Sequence, residues 1–354
     1  GGIPVFRPTM EQFADFARFV DDIYAYGRAA GIVKVIPPPE WVASLPPVDA
    51  KLARLEEFQP IAQHIFGSRG CYTQTNIESR KRYTVDAFRA LARSADYRRP
   101  PPHGERGSSK PRRGRAPPTT RRASRRLQTR LQQSDASSSS SSSDTSMEEF
   151  SYERCQELER DYWRNLTYNP PLYGADIPGS LFSDSVENWN VAHLKNLLDD
   201  LPVSLPGVNS PYLYFGMWKS TFAWHVEDMD LFSINYIHFG APKQWYSISE
   251  AHRDRFERVA QGIWSPEYQK CPEFLRHKTF IISPKALANY SIPVNRLVQK
   301  EHEFVLTFPR GYHAGYNLGY NCAESVNFAL DYWIPYGKKA RNCQCIGDSV
   351  HIDM

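Results

Sequence analysis

Cysteine is scarce in this chain: six in 354 residues, too few for a disulfide scaffold. Long apolar runs are missing too. The longest stretch without a charge, Leu201–Trp218, is broken by three prolines and an asparagine, so it does not read as a membrane span. No basic and apolar leader is visible, and the first residue is Gly rather than Met. No internal repeat stands out. Twenty-seven prolines argue against an all-helical bundle, because proline interrupts helix interiors. We expect a soluble, reduced, intracellular globular protein. Aromatic residues, by contrast, are plentiful. Phe, Trp and Tyr make up 13% of the chain within an apolar fraction of 41%, which excludes a disordered protein and supplies a large core. The length allows two or three domains.

The net charge of +4 hides an asymmetry. Between Arg98 and Arg130 stand twelve Arg and Lys against one Glu, so the remainder of the chain carries −7. The acidic remainder suits a cationic partner, and the basic stretch suits phosphate. Residues 95–146 run from Pro100-Pro101-Pro102 through Arg pairs to seven consecutive serines, Ser137–Ser143, with almost no apolar side chain. They read as a disordered insertion, either a passive linker or a nuclear import signal or DNA-contacting arm.

Ahead of the insertion, Thr9-Met10-Glu11-Gln12 is a capping-box pattern that starts a helix. Phe13, Phe16, Val20, Ile23 and Tyr24 give that helix one apolar face, Gly27 and Gly31 are stop signals, and Pro37-Pro38-Pro39 marks an extended exit. A second helix is expected over Thr84–Ser94 and a third over Met147–Arg164. From Tyr168 onward the pattern turns to short β-rich runs: Tyr212–Trp218, Thr221–Trp224, Leu231–Phe239, Gln244–Ile248, Lys278–Ile282, Phe304–Phe308 and Ser325–Leu330. Such runs, broken by Pro, Gly and Asn, predict an antiparallel barrel or jelly roll.

The chemistry gathers in that β-rich region. In Trp224-His225-Val226-Glu227-Asp228, His225 and Glu227 are two apart and share one face of an extended chain. His313, flanked by glycines in Gly311-Tyr312-His313-Ala314-Gly315, is the candidate third ligand. Two His and one carboxylate with open positions suit non-haem Fe(II) and oxygen chemistry. His-x-Glu alone is weak, since most such pairs are ordinary strand residues. Asn235 and Lys243 follow, and Ser233 shares strand parity with Asn235. A buried lysine beside a metal needs an anion. A keto-dicarboxylate would supply one, with Lys243 on its distal carboxylate and the Tyr173 hydroxyl beside it; otherwise Lys243 is a surface residue. Tyr212 and Tyr214 are two apart, as are Ser325 and Asn327, and Gly207 permits close backbone approach. Such pairs can face a pocket or simply fill a core. Cys343-Gln344-Cys345, with Cys271 and His277, can form a tetrahedral zinc site or remain free thiols near the chain end. Cys71, Cys155 and Cys322 show no partner pattern.

These residues bring a family into view. Residues 147–345 resemble the JmjC catalytic domain, and Ile3–Trp41 resembles its JmjN companion. The Tyr212-Leu213-Tyr214-Phe215-Gly216-Met217-Trp218-Lys219 and His225-Val226-Glu227-Asp228-Met229-Asp230 motifs look like those of trimethyl-lysine histone demethylases. The resemblance covers the chain apart from the 95–146 insertion. It implies a mainly β fold, a double-stranded β-helix of the cupin jelly-roll type with helical decoration and a small helical JmjN unit. The expected division is JmjN over 1–45, a mixed connector over 46–94, the insertion over 95–146, and the JmjC domain with its zinc site over 147–354. The resemblance also implies Fe(II) on His225, Glu227 and His313. It places 2-oxoglutarate on Tyr173, Asn235 and Lys243, lined by Ser233, Trp245 and Thr307, with Lys278 near the iron. Structural Zn(II) falls on Cys271, His277, Cys343 and Cys345. Gly207, Tyr212, Tyr214, Glu227, Ser325 and Asn327 would surround a methylammonium group.

The implied activity consumes O2 and 2-oxoglutarate. It demethylates tri- and dimethyl-lysine of histone H3, at lysine 9, lysine 36 or both, releasing formaldehyde and succinate. The implied setting is nuclear: a monomer acting on the methylated H3 tail and the nucleosome, with no membrane. Where the family often has Ser followed by Thr, this chain has Ser325-Val326, which bears on the choice between di- and trimethyl states. The alternatives are a JmjC protein hydroxylase, a non-catalytic chromatin-binding module, and a zinc hydrolase. The tyrosine pair counts against the first, the complete residue set against the second, and the absence of a separate general base against the third.

Overall fold

The computed structural model describes residues 2–105, 149–201, 205–343, 345, 350 and 352. The expected insertion therefore lies mostly outside the described residues. The chain divides into two compact units: Gly1–Arg99 with Arg160–Met354, and Pro100–Glu159.

The larger unit holds fourteen described strands. In chain order these are β1 (Val5–Phe6), β2 (Ile32–Val35), β3 (Ile61–Ser68), β4 (Cys71–Glu78), β5 (Leu172–Pro178), β6 (Tyr212–Gly216) and β7 (Thr221–His225). Then come β8 (Phe232–Gly240), β9 (Lys243–Ser247), β10 (Phe280–Ile282), β11 (Asn295–Gln299), β12 (Phe304–Thr307), β13 (His313–Asn317) and β14 (Asn321–Phe328). They form a ten-stranded sheet, β1-β2-β12-β8-β14-β6-β5-β3-β4-β10, and a four-stranded sheet, β11-β9-β13-β7. Every pairing is antiparallel except β1 with β2. This is the jelly-roll sandwich with helical decoration.

Period-two alternation decides what each face of the large sheet does. On β8, Phe232, Ile234 and Tyr236 join the large aromatic core, while Ser233 and Asn235 point the other way and line a cavity. Phe304 and Leu306 of β12, and Val326 and Phe328 of β14, take the core side. Val305 packs instead with Ile32 of β2 and with Trp245 and Leu297 of the small sheet. Helical segments cover the aromatic core: Phe13 stacks on Trp189 with ring centroids 4.3 Å apart, and Val20 and Ile23 are buried beside them.

The N-terminal segment departs from the expected single helix and helical unit. The Thr9 capping box is present, but the helix it starts ends at Phe13. Asp15 then caps a second helix, Phe16–Ala30, by accepting from the Arg18 amide. Gly27 is not a stop. It lies inside that helix, where a Cβ would fall 2.1 Å from the Phe308 ring, so its role is close packing on the sheet. Gly31, at φ +86°, is the C-cap. The same segment supplies β1 and β2, and β2 pairs with β12, so it builds the large sheet as well as covering it. Proline 39 opens the helix Pro39–Ser44 rather than an extended exit. Lys278 stands outside β10, in a left-handed turn at φ +55°.

In the smaller unit, residues 100–105 are placed rather than disordered. The turn His103–Glu105 is held by Glu157, which accepts the His103 amide at 2.6 Å. Arg154 donates to Glu157 and to the Pro100 carbonyl.

Candidate metal centre and the pocket around it

β13 lies between β7 and β9, and its first residue, His313, stands directly opposite His225, the last residue of β7. Their rings lie 4.2 Å apart between centroids. Gly315 makes this packing close: a Cβ there would meet the Gln244 carbonyl oxygen at 2.1 Å and the Phe222 ring at 2.4 Å. Glu227 follows β7 with extended backbone, φ −66° and ψ 152°, so its side chain keeps the parity of His225 beyond the end of the strand. One ligand atom from each of His225, Glu227 and His313 lies within 4.8 Å of the others.

The surroundings fix these three groups. His225 Nδ1 donates to the Ala223 carbonyl at 2.8 Å, and His313 Nδ1 to the Gly311 carbonyl at 2.9 Å. Both Nε2 atoms are thereby left as ligand atoms. The Ser233 hydroxyl donates to Glu227 Oε1 at 2.8 Å and lies 2.6 Å from the Thr307 hydroxyl; Asn327 Nδ2 donates to Glu227 Oε2 at 3.1 Å. Burial, aided by His313, pushes the His225 imidazole down to about 3. Burial would raise the Glu227 carboxyl, but the hydrogen bond and charge of His313, with His225 and Lys278, hold it below the usual carboxylate range. Two imidazoles beside an ionised carboxylate are the donor set a divalent cation requires.

A cavity of about 340 Å³ opens over this cluster. On one side lies Lys243, 1% exposed, its ammonium pushed down to about 7 by burial. Among the described residues its hydrogen-bond partner is not a carboxylate but the Asn317 amide oxygen, at 2.6 Å. Its ammonium also lies 5.7 Å from the centre of the Tyr173 ring. Asn235 Oδ1 is buried with no partner among the described residues. Trp245 donates to Gln299, and Thr307 lies beneath Ser233. Lys278 pairs with Asp228 at 3.1 Å; burial lowers its pKa, but Asp228 and Glu227 outweigh that and raise it.

On the other side stand Tyr212 and Tyr214. Tyr214 donates to Asp176 at 2.9 Å, and Gly207, at φ +74°, packs so tightly on Tyr212 that a Cβ would meet its ring at 2.5 Å. Ser325 donates to the Ile234 carbonyl at 2.9 Å. The cavity lining thus gathers the residues the sequence reading placed at the iron, the co-substrate and the methylammonium, except Thr307, which is buried behind Ser233 and does not reach the cavity. The reading passed over Asn317 and Asp176. Asn317 shares the parity of His313 on β13, which was a usable signal. Asp176 sits at φ +56°, and nothing in the sequence announces that turn.

The second cluster is also assembled. One ligand atom from each of Cys271, His277, Cys343 and Cys345 lies within 4.8 Å of the others. Cys271 Sγ is 3.6 Å from Cys343 Sγ, which is 3.0 Å from His277 Nε2. Burial and the neighbouring thiols of Cys345 and Cys343 push the Cys271 thiol up. Three thiols and an imidazole at these separations fit a tetrahedral metal ion.

Comparison with known proteins gives two domain matches and several relatives. Residues 212–328 match the family described as "JmjC domain, hydroxylase", and residues 4–37 match the jmjN domain. Lysine-specific demethylase 4B of Mus musculus is 43% identical over 357 residues, covering 99% of this chain and 28% of that protein. Lysine-specific demethylase 4D of Rattus norvegicus is 40% identical, covering 97% of this chain and 58% of that protein. Probable lysine-specific demethylase 4F of Homo sapiens is 41% identical, covering 97% and 46%. The chain spans between 28% and 58% of the length of these relatives. The chain thus carries a JmjN and a JmjC domain in order, and along almost all of its length it is similar to these lysine-specific demethylases.

Proposed function

We propose that this chain carries out Fe(II)- and 2-oxoglutarate-dependent oxidative demethylation of tri- and dimethyl-lysine on histone H3, at lysine 9, lysine 36 or both. The observation that carries the proposal is Lys243: an ammonium buried beside a metal-ligand cluster, facing an amide oxygen where an anion's carboxylate would be the natural partner. A dicarboxylate reaching from the metal to Lys243 and Tyr173 satisfies it, and Asn235 lies on the same face of β8 as Ser233.

His225, Glu227 and His313 would hold the iron, which with 2-oxoglutarate and O2 supplies the oxidation of an N-methyl C–H bond, after which formaldehyde departs. The protein's own work is positioning. The two backbone carbonyls orient the imidazoles. Ser233 and Asn327 hold the Glu227 carboxylate in place by hydrogen bonds to its two oxygens. Tyr212 and Tyr214 offer ring faces and oxygens to a cation that has no N–H to donate. Asp176 orients the Tyr214 hydroxyl. Cys271, His277, Cys343 and Cys345 would hold a structural zinc ion. The chain would act in the nucleus, as a monomer, on the H3 tail within the nucleosome. The Arg-rich stretch, outside the described residues, would touch DNA.

The test is formaldehyde release from H3 peptides trimethylated at lysine 9 or lysine 36, with Fe(II), ascorbate and 2-oxoglutarate. Release that requires 2-oxoglutarate is the expected outcome, and the two rates rank the sites. Succinate without formaldehyde would refute the substrate and keep the iron chemistry. Neither product from iron-loaded protein would refute the enzyme.

A further inference from the structure

The turn that follows Glu227 is built against the preferences of its residues. Met229 has φ +54° and Asp230 φ +52°, two consecutive non-glycine residues in the left-handed region. Such a conformation is uncommon for residues with a Cβ and persists only when its surroundings over-determine it. The surroundings here come from outside the turn. Arg276 reaches in from the short helical turn Phe274–His277. Its side chain is 11% exposed and that of Asp230 is 8% exposed. One guanidinium nitrogen donates to Asp230 Oδ1 at 2.8 Å, and the other donates to the backbone carbonyl of Glu227 at 3.1 Å. The Asp230 amide donates to that same carbonyl at 3.0 Å. Trp333 Nε1 holds the Met229 carbonyl at 2.9 Å, and Lys278 holds Asp228.

We propose that Arg276 is a positioning residue for the metal centre: its two-armed grip on Asp230 and on the Glu227 carbonyl closes the left-handed turn and aims the Glu227 carboxylate between the two histidines. The planar fork is what the geometry requires. A lysine could pair with Asp230 or with the carbonyl, not with both in these directions. Arg276 touches neither the ligand atoms nor the co-substrate side of the cavity. Its loss therefore weakens metal retention and leaves the Lys243 end of the pocket intact. This inference rests on His225, Glu227 and His313 being the metal ligands.

The experiment uses the whole chain with its Cys/His cluster zinc-loaded. Binding of Mn(II), which prefers nitrogen and oxygen ligands to thiolates, is followed through the signal of free Mn(II) in electron paramagnetic resonance. Wild type, Arg276→Ala and Arg276→Lys are compared, each with a thermal melt, and Arg276→Ala is titrated again with added ethylguanidinium. Arg276 lines a groove of about 1050 Å³ through which that cation can enter. We expect both variants to bind Mn(II) about 10–100-fold more weakly, as when an outer partner of a metal ligand is removed. Ethylguanidinium should restore most of the loss in Arg276→Ala, and Arg276→Lys should not recover on its own. Mn(II) affinity within twofold of wild type overturns the proposal. So does weakened binding that the guanidinium does not restore, or loss of a cooperative melt in both variants, since either marks a merely structural residue. Wild-type protein that binds no Mn(II) overturns the ligand assignment itself.

Discussion

The His225, Glu227 and His313 cluster and the Cys271, His277, Cys343 and Cys345 cluster are each tight enough for one ion, but they are assembled differently. The first grows from paired strands, with each ligand gripped by a neighbour: a carbonyl behind each imidazole, Ser233 and Asn327 on the carboxylate. It opens on a cavity. The second joins residues from helix ends and the C-terminal segment, and its sulfurs and imidazole face one another. Three donors oriented from behind leave coordination positions for reactants, whereas four donors facing inward fill them. The first architecture suits chemistry, the second closure of the chain.

The sharpest way to break this comparison is to attack each cluster and read both activity and stability. Glu227→Gln keeps shape while removing the charge. It should cut formaldehyde release by at least about 100-fold, more than the loss of an outer partner usually costs, with the melting temperature near wild type. Cys343→Ser should do the reverse in stability. Losing a structural metal ligand should cost about 3 kcal/mol or more and lower the melting temperature by at least about 4 °C. An unmoved melt in zinc-loaded protein would mean that the thiols close nothing.

The two clusters also differ in how the sequence exposes them. His225 and Glu227 could be paired from parity alone, because the chain stays extended past β7. His313 could be proposed only from its flanking glycines. β13 itself was invisible: His-Ala-Gly-Tyr-Asn has little β propensity, and the strand forms because β7 and β9 pair with it on both sides. The hairpin of β3 and β4 was hidden for another reason. Most of Phe66–Glu78 is exposed or half-buried, so no apolar alternation marks it, and register with β5 and β10 is what holds it in the large sheet. In the Arg253–Ile263 helix only Phe256 and Ala260 are buried, too few to show a period. The N-terminal helix was legible, but its break at Asp15 and the entry of β2 into the sheet depend on tertiary pairing. Cys271 and His277 could be joined to Cys343 and Cys345 by residue type but not by distance, since about seventy residues separate the pairs.

A subtler contrast lies within the open site, between its metal end and its anion end. Lys243 is held down to about 7 in the free protein, from an ordinary 10.5, by burial. Between those values the unfolded chain binds the extra proton and the folded one does not. The free protein therefore gains stability from this residue as pH rises from about 7 to 10.5. Binding has the opposite sign, because a dicarboxylate requires the charged ammonium and raises its pKa. Affinity for 2-oxoglutarate should be greatest below pH 7 and should fall up to about tenfold per pH unit above it. Calorimetric titration in buffers of different ionisation enthalpy should show proton uptake on binding. Lys243→Met should abolish both the uptake and the pH dependence. Uptake that survives in this variant would assign the proton elsewhere.

Val326 should show the smallest effect, because it lies on the boundary between core and pocket. By strand parity it belongs with Phe328 in the aromatic core, in register with Ile234, while Ser325 and Asn327 line the cavity. It also borders the cavity, and is 6% exposed. A hydroxyl introduced by Val326→Thr must find a partner on the core side or turn its oxygen toward the pocket rim. The first costs about 1–3 kcal/mol of stability, the usual penalty for a buried polar group without a partner. The second adds one oxygen near the methylammonium without moving Tyr212, Tyr214 or Asn327. The ratio of rates on trimethylated and dimethylated peptide should therefore change by no more than about threefold, equivalent to about 0.65 kcal/mol. A larger change would mean that strand parity at β14 does not govern the methyl pocket, and that the boundary between the aromatic core and the reactive face is less sharp than the alternation along β8, β12 and β14 makes it.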